Sequence, residues 1–390
     1  MATLAALMAA LALPPTWPAA ARAQGDSTLA RPFVPGGYDD KPHMRGMFGT
    51  ISVGGYLEAH GTWEREDGVT TELGMQLTRW NLLASTAIGD HVRIFSEVEF
   101  EEAGQEVVVE LAQLDLLLHS TFNVRGGILL LPLGRFNLAH DGPRNELPQR
   151  PAVASELLGV ALAQPGLGSF GQFGGSGTGR LTYELYAVNG YHDGVIHGSP
   201  EGTRLPAGRF NPEDANLSPA WVGRTEWSSS RRFALGLSGY HGAWNNYVVD
   251  GLPADERRDV SVGVVDAHVE ALSFAVDGEA AAARVDVPEG VTGVFASRQA
   301  GAYLQLSRPF GVGWIGGMPD SWLTAAVRGD FVDFDRDLPG DSFRSVTLGV
   351  NLRPVRWTAI KLAWMRGENR DRFDNRASLA QLQLGLASYF

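Results

Sequence analysis

The segment SLAQLQLGLASYF, residues 378–390, has a period of two. One face carries apolar residues with a single polar interruption at Ser388: Ala380, Leu382, Leu384, Leu386 and Phe390. The other face carries Gln381, Gln383 and Tyr389. About ten tilted residues with such alternation are enough for a β-strand to cross a membrane. The segment therefore predicts a membrane-spanning strand, and the edge strand of a soluble sandwich is the alternative for so short a run.

The aromatic residue at position 390 is a second signal. A strand with an unpaired edge can be captured by β-augmentation, in which a partner adds to the sheet through main-chain hydrogen bonds. We expect Phe390 to act as an assembly signal that the barrel-assembly machinery recognises in this way.

The first residues predict export. Residues 1–23 form an apolar run that ends in Ala21-Arg22-Ala23, a small-x-small sequence typical of a signal peptide, although no Lys or Arg precedes the run. Residues 24–46 are rich in Pro and Gly, and we interpret them as a flexible periplasmic segment. The chain has no cysteine, so a closed hydrogen-bonded barrel, rather than disulfides, would stabilise it in an oxidising compartment.

The composition narrows the class of protein. Hydrophobic residues make up 44% with a mean hydropathy of −0.08, as in a soluble protein or in a barrel whose strands are apolar on one face only. After residue 23, no apolar run approaches the roughly 18 residues that a membrane-spanning helix needs. The formal net charge of −12 argues against a nucleic-acid partner.

From residue 47 onward the chain repeats one unit, an alternating run followed by a turn or loop. The predicted strands are 50–60, 71–84, 91–100, 107–119, 123–133, 157–164, 180–190, 220–228, 232–244, 260–271, 273–286, 296–307, 321–333, 342–352, 356–366 and 377–390. Sixteen is an even number, as a closed single-chain barrel requires. The sequence therefore predicts an all-β protein, a transmembrane antiparallel up-and-down β-barrel over residues 47–390.

The connections between these strands alternate in length. Those after odd-numbered strands are mostly long and charged, such as 61–70 and 134–156, and those after even-numbered strands are mostly short, such as 120–122. Two connections after even-numbered strands, 165–179 and 309–320, are long for turns. Long external loops that alternate with short periplasmic turns are typical of outer-membrane barrels and not of sandwiches.

The alternation within individual strands also predicts which residues face the lipid and which face the lumen. In the predicted strand 296–307, Leu304 faces lipid and Gln305 faces the lumen. The strand 71–84 loses its phase near Arg79 and Trp80, which predicts a bulge or a shifted boundary. Tryptophans near strand ends or on the outer face are expected to form aromatic girdles at the membrane interfaces, with core packing as the alternative: Trp221, Trp227, Trp244, Trp322, Trp357 and Trp364.

The segment 130–154, LLPLGRFNLAHDGPRNELPQRPAVA, resembles the segment after the fifth strand in porins of the phosphate-selective porin O/P family and their relatives. Further similarity lies in GDHVRIFSEVEFE at 89–101, LTYELYAVNG at 181–190 and the segment 378–390. The resemblance extends over most of the mature chain. It implies a sixteen-stranded, trimeric porin that passes small anions or other solutes, but it does not transfer the selectivity.

The expected function is therefore passive diffusion of small hydrophilic solutes or ions through a porin in the outer membrane of a Gram-negative-type bacterium. Neither enzymatic activity nor a cofactor is expected. The alternatives are an anion- or phosphate-selective channel, and a barrel that binds a partner or acts on lipid. The expected partners are outer-membrane lipid or lipopolysaccharide, the barrel-assembly machinery, the permeating solutes and further copies of the chain in a homotrimer.

The inward positions of the predicted strands carry more acidic than basic residues. Rings of Arg or Lys with little opposing charge make a pore anion-selective, so these positions indicate a mixed field instead. Solvation of a wide wall is the alternative role for any one of these charges. The predicted pore-lining residues are Arg93, Glu97, Glu99, Arg125, Arg224, Glu226, Arg328, Asp330 and Lys361.

The predicted loop 134–156 is where a constriction would form. Loops of this length without repeating structure are usually functional or disordered, and Pro143, Pro148 and Pro151 favour an ordered one. Folding into the lumen and packing over the mouth of the barrel both remain open. The candidate constriction residues are Arg135, His140, Asp141, Arg144, Glu146 and Arg150.

Signatures of catalysis and metal binding are weak. His140 next to Asp141 could begin a hydrolase site, but the chain contains no GxSxG motif that would place a serine. The sequence DFDRDLPGD at 333–341 has oxygen ligands as in a calcium loop, yet Leu338 and Arg344 stand where an EF-hand needs Gly and Glu. The histidines show no metal-ligand spacing. We expect no catalytic residue and no metal, apart from a loose divalent-ion contact at the surface.

Overall fold

The computed structural model describes residues 44–45, 51–175, 179–209, 213–214, 216–230, 232–249, 252–291 and 293–390. The predicted signal peptide lies outside the described residues, and so does the segment 24–46 apart from the two residues 44 and 45.

One antiparallel sheet contains seventeen strands, of which Met44–Arg45 is only a two-residue strand paired with the first long one. The other sixteen form the barrel and are numbered here in chain order. They are β1 Ile51–Glu66, β2 Val69–Ile88, β3 Val92–Glu101, β4 Glu106–His119, β5 Phe122–Leu130, β6 Ala163–Gly175, β7 Gly179–Val188, β8 Ala220–Ser230, β9 Phe233–Ala243, β10 Asp259–Ala271, β11 Phe274–Val285, β12 Arg298–Phe310, β13 Trp322–Asp333, β14 Ser342–Arg353, β15 Thr358–Arg370 and β16 Arg376–Tyr389.

The last strand closes the barrel on the first. β16 pairs with β1 from Leu379 opposite Glu66 to Tyr389 opposite Tyr56. Phe390 continues this pairing, because its backbone exchanges hydrogen bonds of 3.0 and 3.1 Å with Gly55. Every other barrel strand pairs with its neighbours in sequence. The predicted sixteen-stranded up-and-down barrel is confirmed.

Side chains alternate between an exposed outer face and a buried inner face. In β12, Leu304 is 62% exposed and Tyr303 only 8% exposed. The outer face is apolar along the last strand, where Leu382, Leu384 and Leu386 all lie exposed. An apolar belt around a closed barrel, which satisfies all its backbone hydrogen bonds internally, suits the hydrocarbon region of a membrane.

The long connections lie mostly at one end of the barrel. The connections 131–162, 189–219, 244–258 and 286–297 follow odd-numbered strands, as predicted, and 311–321 is the long exception at the other end. We call the end with the long connections the loop rim. The predicted loop 61–70 is wrong, since β1 and β2 continue past it and turn at Asp67 and Gly68. Both turn residues have positive φ, 48° and 86°, as a two-residue hairpin turn requires.

The predicted sixth strand, 157–164, is also wrong. Residues Val153–Leu158 form a single π-helical segment, and β6 begins at Ala163 and extends through the stretch that was predicted to be a long turn. The predicted bulge is present, because the register between β1 and β2 shifts where Glu58 pairs with Arg79 and Ala59 with Leu77. Trp221 and Trp227 are exposed, whereas Trp244 is buried and donates its indole N–H to the carbonyl oxygen of Asp286 over 3.1 Å.

The helical segments are short and lie in the connections. They are α1 Arg135–Leu138, α2 Gly194–His197 and the 3-10 turns Glu102–Gly104, Gly142–Arg144, Leu205–Gly208 and Glu289–Val291. Val248–Val249 and Leu252–Pro253 form a small separate hairpin. Among the described residues, no helix has the length and apolar content that crossing a bilayer would take.

Candidate functional site: the loop in the lumen

The connection between β5 and β6, residues 131–162, is called the lumen loop. Its backbone and side chains contact inward-facing residues of the barrel wall from β1 to β16. Of the two placements left open by the sequence, the structure therefore has the loop inside the lumen. The predicted loop 134–156 forms the central part of this segment.

The lumen loop enters the barrel at Gly134. The backbone N–H of Gly134 donates to Ser238 Oγ over 2.9 Å, and that of Phe136 donates to Glu279 Oε2 over 3.1 Å. Gly134 has a φ of 81°, and a Cβ atom there would lie 2.5 Å from the Glu279 carboxylate. Only glycine suits this position, since both its conformation and its closeness to the wall exclude a side chain.

Apolar packing holds one side of the lumen loop. Leu133, Val153 and Leu157 belong to a buried cluster that includes Val262 and Val264 of β10. These valines share the inner face with Asp266, so this part of the wall is apolar instead of polar. The sequence analysis missed this feature because it expected water-solvated residues on the whole inner face. The alternating VSVGVV sequence at 260–265, with valine on the inward positions, is the signal that could have revealed it.

His140 and Asp141 anchor the loop to the opposite wall. His140 is fully buried, with Nδ1 2.7 Å from the carbonyl oxygen of Asn137 and Nε2 2.9 Å from Glu110 Oε1 of β4. The Tyr389 hydroxyl donates to Asp141 Oδ2 over 2.6 Å. These contacts use both residues to fix the loop between β4 and β16.

Basic side chains of β14 and β15 bind the next part of the loop. Lys361 Nζ donates to the carbonyl oxygen of Gly142 over 2.7 Å, and Arg353 Nη1 donates to that of Pro143 over 2.9 Å. Arg353 also lies 3.4 Å from the Glu146 carboxylate. Each of these two buried wall cations thus donates a hydrogen bond to one carbonyl oxygen of the loop.

Arg328 and Asp330 of β13 bind the segment 149–152 of the lumen loop. Arg328 donates to the carbonyl oxygens of Gln149 and Arg150 over 2.8 and 3.1 Å and pairs with Asp330 at 2.7 Å. Asp330 Oδ1 accepts the backbone N–H of Ala152 over 2.9 Å. This ion pair therefore binds three loop residues, Gln149, Arg150 and Ala152, each through one backbone group.

Two cavities flank the lumen loop. The larger, of about 670 Å³, lies towards the loop rim and is lined by residues that include Arg150, Glu156, Arg204 and Asp341. The protein that surrounds Glu156 in this cavity removes part of the water around its carboxyl and so raises the pKa of that group.

The smaller cavity, of about 270 Å³, is lined by Arg135 and Arg144 of the loop and by His268, Glu270 and Asp277 of the wall, among others. Gln149 and Arg328 border both cavities. Both cavities therefore reach the contact between these two residues.

The strand register places all the predicted pore-lining residues on the inner face. Those that are buried are Glu97, Glu99, Arg125, Arg224, Glu226, Arg328, Asp330 and Lys361. Arg93 is partly buried opposite Asp115, on the same face as Phe95. The structure brings most of them into contact with each other or with the lumen loop, and two of them, Arg328 and Asp330, line one or both of these cavities.

Wall arginines are matched by carboxylates. Arg125 lies 2.7 Å from Asp115, and Arg224 lies 2.8 Å from Glu226 and 2.9 Å from Asp266. Arg79, which the sequence analysis did not place in the lumen, lies 2.8 Å from Glu58. A permeating anion would have to compete with these carboxylates for the guanidinium groups, so such pairs attract anions weakly.

The candidate constriction residues all belong to the lumen loop, but they do not form one ring. Arg135, Arg144 and Glu146 border the smaller cavity, whereas Arg150 borders the larger one. Arg135 pairs with Glu226 at 3.4 Å. His140 and Asp141 are held by the wall instead of facing either cavity. The charges nearest the path are therefore spread along it.

The sequence analysis missed several residues that hold the loop, among them Glu110, Asn351 and Arg353. Asn351 donates to the carbonyl oxygen of Glu146 over 3.0 Å. Asn351 and Arg353 follow the alternation of their strand, which could have placed them, whereas Glu110 lies at a bulge where the alternation changes phase.

The acidic sequence 333–341 contacts arginines. Asp341 lies 2.7 Å from Arg204, and Asp337 accepts a hydrogen bond from Arg298 Nε over 3.1 Å. Among the residues that the structure describes, no group of three or more His, Asp or Glu side chains is arranged to hold a metal ion.

Comparison with known proteins gives fold-level similarity. No family model matches the chain. A protein of Aquifex aeolicus (strain VF5), described only as uncharacterized, is 24% identical over 359 residues, which are 83% of this chain and 77% of the relative.

Among solved structures, the anion-selective porin from Comamonas acidovorans has a TM-score of 0.55 at 12% identity, covering 87% of this chain and 99% of that one. The trimer form of OmpT, an outer-membrane protein of Vibrio cholerae, has a TM-score of 0.54 at 11% identity, covering 87% and 100%. At such identities the similarity establishes the shared barrel fold.

Proposed function

We propose that this chain is a passive porin of the outer membrane of a Gram-negative-type bacterium, through which small hydrophilic solutes and ions diffuse. The observation that carries the proposal is the lumen loop, which divides the interior of a closed transmembrane barrel into two charged cavities that meet at Gln149 and Arg328. A binding barrel without transport would not need polar spaces on both sides of such a loop.

The selectivity that we propose is weak and favours cations or neither sign. The inner arginines lie beside carboxylates, as in the pairs Arg125 with Asp115 and Arg328 with Asp330. Further carboxylates, Glu270 and Asp277, line the smaller cavity beside His268. A cation that enters meets acceptors at short range, whereas an anion meets guanidinium groups that are already bound.

An anion- or phosphate-selective channel is the second candidate. Arg144 and Arg150 lie on the lumen loop, where Arg144 lines the smaller cavity and Arg150 the larger one. The resemblance to phosphate-selective porins and the fold shared with an anion-selective porin favour this reading. It requires the loop arginines to outweigh the wall carboxylates at the narrowest point.

The proposal also includes assembly. We propose a homotrimer, because the chain resembles phosphate-selective porins and because OmpT, which has the same fold, has a trimer form. Phe390, whose backbone pairs with Gly55 at the closing seam, would be recognised by the barrel-assembly machinery before that seam forms. The proposed transport has no catalytic step and needs no cofactor.

Liposome swelling tests the transport directly. Vesicles that contain the refolded protein should swell in uncharged sugars, fastest with the smallest, because the path past the lumen loop is narrow. Vesicles without protein, and vesicles with a smaller barrel whose interior is filled, are the controls. Swelling no faster than in these controls would overturn the proposal, provided that the protein is folded and inserted.

A further inference from the structure

Three arginines cluster on the outer surface of the barrel, at the loop rim. Arg284 of β11 and Arg298 of β12 lie directly opposite each other in the strand register, and both are exposed. Arg336 follows β13, and its backbone N–H donates to the carbonyl oxygen of Arg298 over 3.0 Å. We call these three residues the outer arginine patch. Like charges placed directly opposite on neighbouring strands destabilise a sheet unless an opposite charge screens them.

Two grooves run over this patch. One, of about 610 Å³, is lined by Asp259, Ser261, Arg284 and Arg298, among others. The other, of about 420 Å³, extends over Gly263 and Ala282 and also reaches Arg336. Ser261, Arg284 and Arg298 border both grooves, which therefore form one continuous depression.

The floor of the second groove is apolar and is formed by residues with small side chains or none. A Cβ atom on Gly263 would meet nothing within 4 Å, and Ala282 lies exposed beside it in the register. Farther from the rim, the same face continues into Val265 and Leu304, which are 50% and 62% exposed. The outer arginine patch thus lies at the boundary between the polar rim and the apolar belt.

The charges of the patch are only partly matched. Arg298 pairs with Asp337, and the nearby Asp259 pairs with Arg257 at 2.8 Å. Neither an ion pair nor a side-chain hydrogen bond involves Arg284 within the described residues, and the same holds for Arg336. Two exposed guanidinium groups therefore have donors available at one place on a chain whose net charge is −12.

We propose, on the basis of the outer-membrane location argued above, that the outer arginine patch binds the phosphorylated sugar headgroup of an outer-leaflet glycolipid, with an acyl chain over Gly263 and Ala282. Guanidinium groups bind phosphate through paired hydrogen bonds, and arginine is the side chain best suited to it. A glycolipid of the outer leaflet places its phosphate at this depth and its acyl chains over the apolar floor of the groove. Inorganic phosphate would leave that floor exposed. Arg284 and Arg336 supply the unmatched charges, and Arg298 is a neighbouring donor in the same groove.

The test uses the full-length protein, refolded in detergent. The ligand is lipid A that carries two phosphates, and native mass spectrometry measures its binding. Replacing the two arginines that have no ion pair among the described residues, as Arg284→Gln with Arg336→Gln, should weaken binding roughly thirtyfold, since each basic residue near an anionic lipid surface contributes about a factor of five. The matched control is Arg344→Gln, because Arg344 is also exposed at the loop rim but already lies 3.0 Å from Glu368. That control should bind as the parent does.

Two further arms identify the source of the phosphate and separate the site from transport. Dephosphorylated lipid A should bind the parent and the double variant equally weakly, and millimolar inorganic phosphate should not displace lipid A from the parent. Equal binding of lipid A by the parent and the double variant, or displacement by inorganic phosphate, would overturn the proposal. Channel conductance of the double variant in planar bilayers should equal that of the parent. A protein that binds lipid A but forms no channel would refute the porin function and leave this site intact.

Discussion

Arg328, on the inner face of β13, donates from Nη1 to the carbonyl oxygen of Gln149 in the lumen loop over 2.8 Å. The two residues border both cavities, so the contact lies where the two spaces approach each other. The wall and the loop are thus joined between the two cavities. The width of the path depends on how firmly residues 149–152 are held.

Replacing Arg328 with Gln should loosen this part of the loop. Each hydrogen bond from a charged donor contributes about 1.5–3 kcal/mol, and the variant loses the charged donor to two loop carbonyls. Single-channel recordings should show a larger and noisier conductance than the parent. His268→Gln is the control, because His268 lines the smaller cavity and binds wall carboxylates instead of the loop. Unchanged conductance and noise in a folded Arg328 variant would show that the contact does not limit the path.

Arg144→Gln tests whether the lumen loop influences ion selectivity. Arg144 lines the smaller cavity, so removing its charge should shift the reversal potential under a KCl gradient towards cations. Arg344→Gln, which removes an exposed charge from the outer face, should leave the potential unchanged. If the two variants behave alike, the loop arginine lies too far from the ions to affect them.

Adjacent residues of β12 test the two faces of the barrel. Leu304→Arg places a cation on the outer face and should destabilise the barrel by about 2–4 kcal/mol, the cost of a cation near the middle of the apolar belt. Gln305→Arg places the same cation in the smaller cavity, where water can solvate it, and should be tolerated. Urea unfolding in lipid vesicles measures both. Equal losses of stability would mean that the face assignment is wrong.

The sequence predicts most of the barrel because the alternation of apolar and polar residues within a single strand is enough to assign its two faces. The alternation of Leu382, Leu384 and Leu386 with Gln381 and Gln383 is enough to place β16. β6 escaped prediction because its sequence, AQPGLGSFGQFGG, has proline and several glycines where the pattern needs side chains. The apolar run 157–164 before it has the spacing of a strand, yet its first residues complete a helical turn of the loop.

The lumen loop could be located in the sequence but not placed in space. Its position depends on contacts such as Lys361 with Gly142, which are 219 residues apart in the chain. No local pattern encodes such a pair, because inward charges can bind a neighbour, a loop carbonyl or water with similar energy. The inward face of a charge was therefore predictable where the strand has no bulge, whereas its partner was not.

The reversal potential of the parent channel under a KCl gradient tests the central claim most directly. The paired inner arginines and the carboxylates that line the smaller cavity, Glu270 and Asp277, predict open channels with weak cation preference or none. The measurement requires only the folded full-length protein in a planar bilayer, with chloride as the sole anion and phosphate added afterwards to one side. A strongly anion-selective channel that phosphate blocks would contradict this account and would establish the phosphate-selective alternative.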